Sequence, residues 1–311
     1  MHHPTLILKA AARATLRTLL APAPVSRAVR RLIDSGVIPT SIAPRLPARG
    51  VITLTLPGGG TFRYSALPDD AIGRALFWTG LNSWEAETIP VFMALARSAR
   101  FFLDVGANTG TYSLIACTVN RSLRCQAFEP VPQTHAKLQE NVLLNGLKDR
   151  ITLSTAAVSD RDGKAEFHVP FGDLPPSASL NVNGFRGARG QLIAVPTVRL
   201  DSLQLPQVDL AKIDVEGFED NVLRGMSGIL ERDKPVLIVE ILRDGPGKQA
   251  TDILAAHNYR FFKLVPGGPV QVPELRTAAT DAYHNYLCTH ESRGLPSLEI
   301  GDQEAPIAVR S

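Results

Sequence analysis

From residue 101 to 289 the chain alternates short, almost wholly apolar runs with amphipathic stretches of helical length. The runs at 101–106, 124–128, 151–158, 210–213, 235–241, 261–264 and 286–289 read as strands. Helical patterns follow the first run to about 120 and recur at 132–145, 218–226 and 248–257. Strands apolar on both sides belong to a parallel sheet covered on both faces. Upstream, alternation over 51–56, the turn Gly58-Gly59-Gly60 and a return over 61–64 predict a hairpin, with a helix over 85–98. Residues 5–20 set Lys9, Arg13 and Arg17 in one stripe beside an alanine-rich apolar side, the pattern of a surface helix. The expected organisation is a basic helical arm over 1–50 and a hairpin and helix over 51–100. An α/β domain follows over 101–290, with an insertion at 170–191, and then a tail over 291–311.

In such a sheet, ligands bind beyond the carboxyl ends of the strands, where strand order reverses. The residues after each apolar run are therefore the candidates. The first run leads into Asp104-Val105-Gly106-Ala107-Asn108-Thr109-Gly110. Gly106 permits a tight turn with close backbone approach, and Gly110 lets the next helix pack near the sheet. The dinucleotide pattern GxGxxG fails, because positions 104 and 109 are Asp and Thr. An acid at 104 suits a ligand that carries an ammonium where a dinucleotide has its pyrophosphate. Glu129 follows the second run, 25 residues beyond Asp104, and an acid there can accept both hydroxyls of a ribose. Ala156 and Ala157 leave room for a flat ring, although Ser159 and Asp160 fit an ordinary turn equally well. After the fourth run, period-two alternation puts Lys212, Asp214 and Glu216 on one side. Two carboxylates and an ammonium at that end of a sheet are costly unless paired or used. Glu240 ends the fifth run, near either Asp214 or Arg243.

Composition narrows the classes. With 44% hydrophobic and 20% charged residues the chain is globular, not disordered or collagen-like. The net charge of +3 conceals an asymmetry: the first fifty residues hold eight basic groups against Asp34 alone, so residues 51–311 carry −4. That balance speaks against a nucleic-acid partner. The basic arm is open to three readings: a packed helix, a weak peripheral contact with anionic membrane through residues 5–31, or a targeting segment. Cys117, Cys125 and Cys288 form no metal or disulfide pattern, which points to a reducing, cytoplasmic setting with the membrane-associated alternative left open. No uncharged apolar run approaches the ~18 residues of a membrane span. Nothing in the pattern sets an oligomeric state.

The segments FFLDVGANTGTYSLIA, AFEPVPQTHAKLQENVLLNGL, VRLDSL, LAKIDVEGFEDNVLRGM and PVLIVEI stand in this order between Trp84 and Thr289. They resemble the successive blocks of the FkbM family of S-adenosylmethionine-dependent methyltransferases. The resemblance implies a seven-strand class I methyltransferase fold: a Rossmann-like, doubly wound α/β sheet whose last strand is antiparallel. Here it would follow an N-terminal helical and hairpin extension. It also implies methyl transfer to a hydroxyl of a sugar, glycolipid or secondary metabolite, so the partner is a small-molecule or glycan and lipid acceptor. Carried over by position, Asp104, Gly106, Ala107, Asn108 and Gly110 line the amino-acid end of S-adenosylmethionine. Glu129 takes the ribose, and Ala157 lies beside adenine. Asp214 and Glu216 face the sulfonium and acceptor, while Glu240 and Asn285 border the acceptor side. The insertion, through Ser177 and Asn181, would bind a polyol or else be a plain surface loop.

A sugar hydroxyl is a weak nucleophile, so a base is expected; Asp214 and Glu216 are the candidates, with Lys212 tuning them and His284 in reserve. A divalent metal is not expected, since Asp214 and Glu240 supply only two oxygen donors. The rival enzyme is an N- or C-methyltransferase of the same fold. The rival from another class is a non-catalytic nucleotide-binding relative, which equilibrium binding of S-adenosylmethionine would distinguish.

Overall fold

The computed structural model describes residues 23–293 except 40–42, 44–45, 69, 83, 171–189, 244 and 279. The predicted helix over 5–20, the insertion residues Ser177 and Asn181, and nearly all of the tail lie outside these. The described residues form two compact units that meet in sequence at Glu85 and Ala86.

The first unit contains helix α1 (Ala23–Asp34), strands β1 (Gly50–Thr55) and β2 (Thr61–Ala66), and helix α2 (Ala71–Thr79). The two strands form the expected antiparallel hairpin, in register from Gly50↔Ala66 to Thr55↔Thr61. Alternation buries Ile52 and Leu54 with Phe62 and Tyr64. Helix α1 is amphipathic, burying Ser26, Arg30 and Ile33 along one stripe, and lies within the expected helical arm; α2 is started by Asp70, which accepts the Gly73 amide at 2.7 Å and the Tyr64 hydroxyl at 2.9 Å. Within α1, Arg30 is buried, donates to the Phe77 carbonyl and lies over the Phe77 ring.

The second unit begins with α3 (Thr88–Ser98), so the helix expected to end the hairpin segment packs with the large domain instead. There follow β3 (Phe101–Val105), α4 (Thr111–Val119), β4 (Arg124–Phe128), α5 (Pro132–Leu144) and β5 (Ile151–Ser154). Next come β6 (Ala157–Val158), β7 (Gly163–Pro170), β8 (Gly190–Val198), β9 (Leu210–Ile213), α6 (Glu219–Gly225) and α7 (Ser227–Arg232). The unit closes with β10 (Val236–Glu240), α8 (Gly247–Ala256), β11 (Tyr259–Val265), β12 (Gly268–Val272) and β13 (Asn285–His290).

The main sheet runs β12-β11-β13-β10-β9-β3-β4-β5. Strands β3, β4, β5, β9 and β10 are parallel, and the last strand, β13, is antiparallel to β10, as expected. An eighth strand, β12, is added at the edge by a hairpin on Gly267 and Gly268, both with positive φ. One face carries Phe92 of α3 edge-on to Phe102 and to Tyr112 of α4. The opposite face buries Leu103, Val105, Ala211 and Ile213 against Val222, Leu223, Ile229 and Leu254 of α6, α7 and α8.

Residues 151–158 are not one strand. The chain leaves the main sheet after Ser154, and β6 joins a second sheet of order β6-β8-β7. The insertion is flanked by a long antiparallel pair, β7 and β8, matched from Gly163↔Thr197 to Pro170↔Gly190. These two strands alternate only weakly, which hid them in the sequence.

Candidate functional site

The chain leaves β3 for β4 and β5 on one side, then returns to β9 on the other, so strand order reverses between β3 and β9. Gly106 and Asp214 occupy that point. The Gly106 and Ala107 amides both donate to the Phe128 carbonyl, at 3.1 and 2.9 Å, which folds the turn back onto the end of β4. Gly106 has φ 82°, and a Cβ added there would lie 1.8 Å from the Asp214 carbonyl oxygen. Only glycine lets the two strand ends approach this closely. Asn108, itself left-handed at φ 49°, donates its amide to Glu129 Oε2 at 3.0 Å. The Gly110 amide closes the turn on the Ala107 carbonyl at 2.9 Å and leads into α4.

Glu129 is buried at the end of β4, and its other oxygen accepts the Val131 amide at 2.8 Å. Burial pushes its carboxyl up to about 7, although both amide bonds pull it down. Each carboxylate oxygen retains a lone pair for a further donor.

Asp104 differs from expectation. Its side chain is 2% exposed and turns inward, accepting the Ser113 hydroxyl of α4 at 2.5 Å. The ammonium beside it belongs to Lys212, its register partner on β9. Burial raises Asp104 to about 6, against the Ser113 bond and the Lys212 charge. Alternation along β3 explains this: Asp104 shares the face of Phe102, which α3 and α4 cover. Ala157 also departs from expectation, since its methyl packs with Val131, Phe167, Val169 and Val195 in the core of the small sheet.

Lys212 is fully buried, with Nζ 3.0 Å from Asp214 Oδ2 and 5.3 Å from the centre of the Tyr112 ring. Glu216 reaches the same place by another route than strand alternation. β9 ends at Ile213, and Glu216 and Gly217 turn left-handed at φ 57° and 92°. The result is a group of three carboxylates: Asp214, Glu216 and Glu240 each offer an oxygen within 4.8 Å of the others. Glu240 stands opposite buried Asn285 in the β10–β13 register and hydrogen-bonds Asp214. A bond between two carboxyls requires one of them to hold a proton.

The environments push the acids apart. Burial acts to raise Asp214, but the Lys212 charge and the bonds from Glu240 and Lys212 outweigh it and hold Asp214 below the usual carboxylate range. Burial, then the charges of Asp214 and Glu219, raise Glu216 to about 8. Such divergence between neighbouring carboxyls marks an acid–base assignment. Three oxygen donors also form a set of the kind hard cations take, one more than the pair counted from the sequence. The ring of His284 is turned to the Asp281 carbonyl, 3.2 Å away. Ser113, Tyr112 and Glu219 were not anticipated; all three line helices whose packing against the strand ends no local pattern announces.

A family model described as the methyltransferase FkbM domain matches residues 104–261, just over half of the chain. The chain belongs to the FkbM methyltransferase family. The match begins at Asp104 itself and takes in the ends of β3, β4, β9 and β10. Among curated relatives, the 2-O-methyltransferase NoeI of Sinorhizobium fredii is 30% identical over 138 residues, which are 40% of this chain and 56% of that protein. This FkbM family member therefore spans little more than half of that relative. The hexuronic acid methyltransferase AglP of Haloferax volcanii is 28% identical over 175 residues, 55% of this chain and 68% of that protein. A crystal structure of a methyltransferase FkbM from Methylobacillus flagellatus has 15% identity and a TM-score of 0.40, covering 71% of this chain and 66% of that one.

Proposed function

We propose that this FkbM family member transfers a methyl group from S-adenosylmethionine to a hydroxyl of a sugar, free or carried on a lipid or secondary metabolite. The observation that carries the reading is the strand-order reversal itself, where Gly106 admits the Asp214 backbone while Glu129 stands at the neighbouring strand end. The donor set fits a sulfonium nucleoside: Glu129 for the ribose hydroxyls, the turn 106–110 for the amino-acid end, and carboxylates on the sulfonium side. Asp104 acts beneath that turn, through Ser113 and Lys212. The relatives named for 2-O-methyl transfer and for hexuronic acid favour a sugar acceptor.

When bound, the cofactor supplies an electrophilic methyl on a positively charged sulfur. The protein's part is orientation and removal of one proton. Glu216 is the general base: its carboxylate would take the proton of the acceptor hydroxyl as that oxygen accepts the methyl group. A carboxyl at about 8 is matched to that task, whereas ionised Asp214 is a weak base that faces the sulfonium. Lys212 holds Asp214 ionised, and its ammonium fills the place in charge that a metal ion would take, so the reaction proceeds without one. Glu240 and Asn285 border the acceptor.

The test is incubation with methyl-labelled cofactor and a panel of neutral sugars, hexuronic acids and glycolipids. Label in a sugar ether, stable to mild alkali, is the expected result. Label on amine or carbon, or none despite cofactor binding, would sink the reading.

A cytoplasmic setting is the proposed location, which the three buried free thiols support. No helix among the described residues is long and apolar enough to cross a membrane. The arm's described part supports a weak peripheral contact. Helix α1 buries Ser26 and Arg30 yet exposes Arg27 and Arg31 beside Val25 and Leu32, which is 44% exposed. Exchanging Arg27 and Arg31 for glutamate is expected to abolish co-sedimentation with vesicles rich in anionic lipid. Equal sedimentation with neutral vesicles would remove the contact from the reading.

A further inference from the structure

Glu219 is fully buried in the first turn of α6, a costly site for a carboxyl. Its Oε1 accepts the Gly217 amide at 3.0 Å and, more loosely, the Val215 amide at 3.4 Å. Those amides flank Glu216 on both sides. Between them the backbone turns left-handed at Glu216 and Gly217; at Glu216, which has a Cβ, that conformation persists only where its surroundings hold it. Among the described residues, Oε2 has no hydrogen-bond partner; besides the two turn amides, only the residue's own backbone amide bonds the carboxyl.

We infer that Glu219 is a positioning residue: it clamps the Val215–Gly217 turn and thereby sets the Glu216 carboxylate against Asp214 and Glu240. The inference rests on the reading of Glu216 as base. The clamp needs an acceptor at Oε1, not a charge, and Gln supplies one. Burial raises Glu219 to about 7, so Gln also matches the neutral acid.

The experiment measures turnover, cofactor affinity and amide hydrogen exchange in Glu219→Ala and Glu219→Gln, with Glu216→Gln beside them. Alanine is expected to lower kcat by about 10²-fold, the cost of misplacing a reacting group by ~1 Å. Cofactor affinity stays unchanged, and the Val215 and Gly217 amides exchange faster. Gln is expected to restore both turnover and protection. Where alanine does not fold, Glu219→Asp shortens the reach by one carbon and is expected to free the same amides. The clamp is overturned if the two amides exchange alike in all forms, or if Gln is as impaired as alanine. Full turnover in Glu216→Gln would overturn the base assignment instead, and the amide exchange then judges the clamp alone.

Discussion

The turns after β3 and β9 lie side by side, and both depend on left-handed residues, yet they treat their acids in opposite ways. Around the β3 turn, Asp104 at the end of β3 and Glu129 at the end of β4 are buried and bonded, to Ser113 in one case and to two backbone amides in the other. Both are raised in the same direction by burial. After β9, Asp214 and Glu216 stand partly open with Glu240; the Lys212 charge and the Glu240 bond hold the first down, while burial and the charges of Asp214 and Glu219 raise the second. The first arrangement suits holding a ligand in one pose. The second keeps a proton acceptor and a fixed negative charge within reach of each other. Static acids are satisfied by hydrogen bonds, and a reacting pair is kept unequal by the different neighbours each carboxyl meets.

The largest effect should come from joining the two turns by force. Gly106→Val puts a side chain where a Cβ already meets the Asp214 carbonyl at 1.8 Å. Cofactor binding should vanish in calorimetry, and denaturant unfolding should show a loss of about 2 kcal/mol or more, from overpacking and the left-handed φ together. Wild-type affinity in this variant would show that the strand ends need not touch.

Next is the reacting side alone. Glu216→Gln should lower kcat by about 10²–10⁴-fold with cofactor affinity unchanged. In the wild type kcat should climb as pH rises through about 8, because the base must lose its proton. That limb should be absent in the variant. A retained limb would move the base to another group.

On the holding side, Glu129→Gln should weaken the cofactor about tenfold, the scale of a hydrogen bond to a charged group. Ribose hydroxyls donate to the ionised carboxylate, so the bound state favours loss of the proton. Wild-type affinity should therefore fall as pH drops below about 7, where the free protein holds that proton and binding must expel it. The variant should lose this slope. The smallest effect is expected from a chelator, which should leave turnover unaltered. Loss of activity restored by Mg²⁺ would recast Asp214, Glu216 and Glu240 as metal ligands.

Much of this geometry is local and was legible in the residues. The glycine turn, Glu129 at the next strand end and the pair Lys212–Asp214 each follow from a short stretch whose period or spacing has one economical reading. The failures have a common origin. Asp104 turned out enclosed because α3 and α4 cover its face, and Ala157 left the main sheet because three residues after Ser154 the chain joined a partner strand forty residues on. Glu216 kept company with Asp214 through a left-handed turn that alternation does not foresee.

The order of strands and helices, the chain's apolar faces and the chemistry of its candidate acids were determined by the linear sequence, since each depends on residues a few positions apart. The meeting of Asp214 with Glu240 and Asn285 was decided by sheet register between segments 26 to 71 residues apart. So were the burial of Lys212 and the split between the Asp214 and Glu216 carboxyls. Charge interactions and desolvation act through space, and only the folded sheet sets those distances.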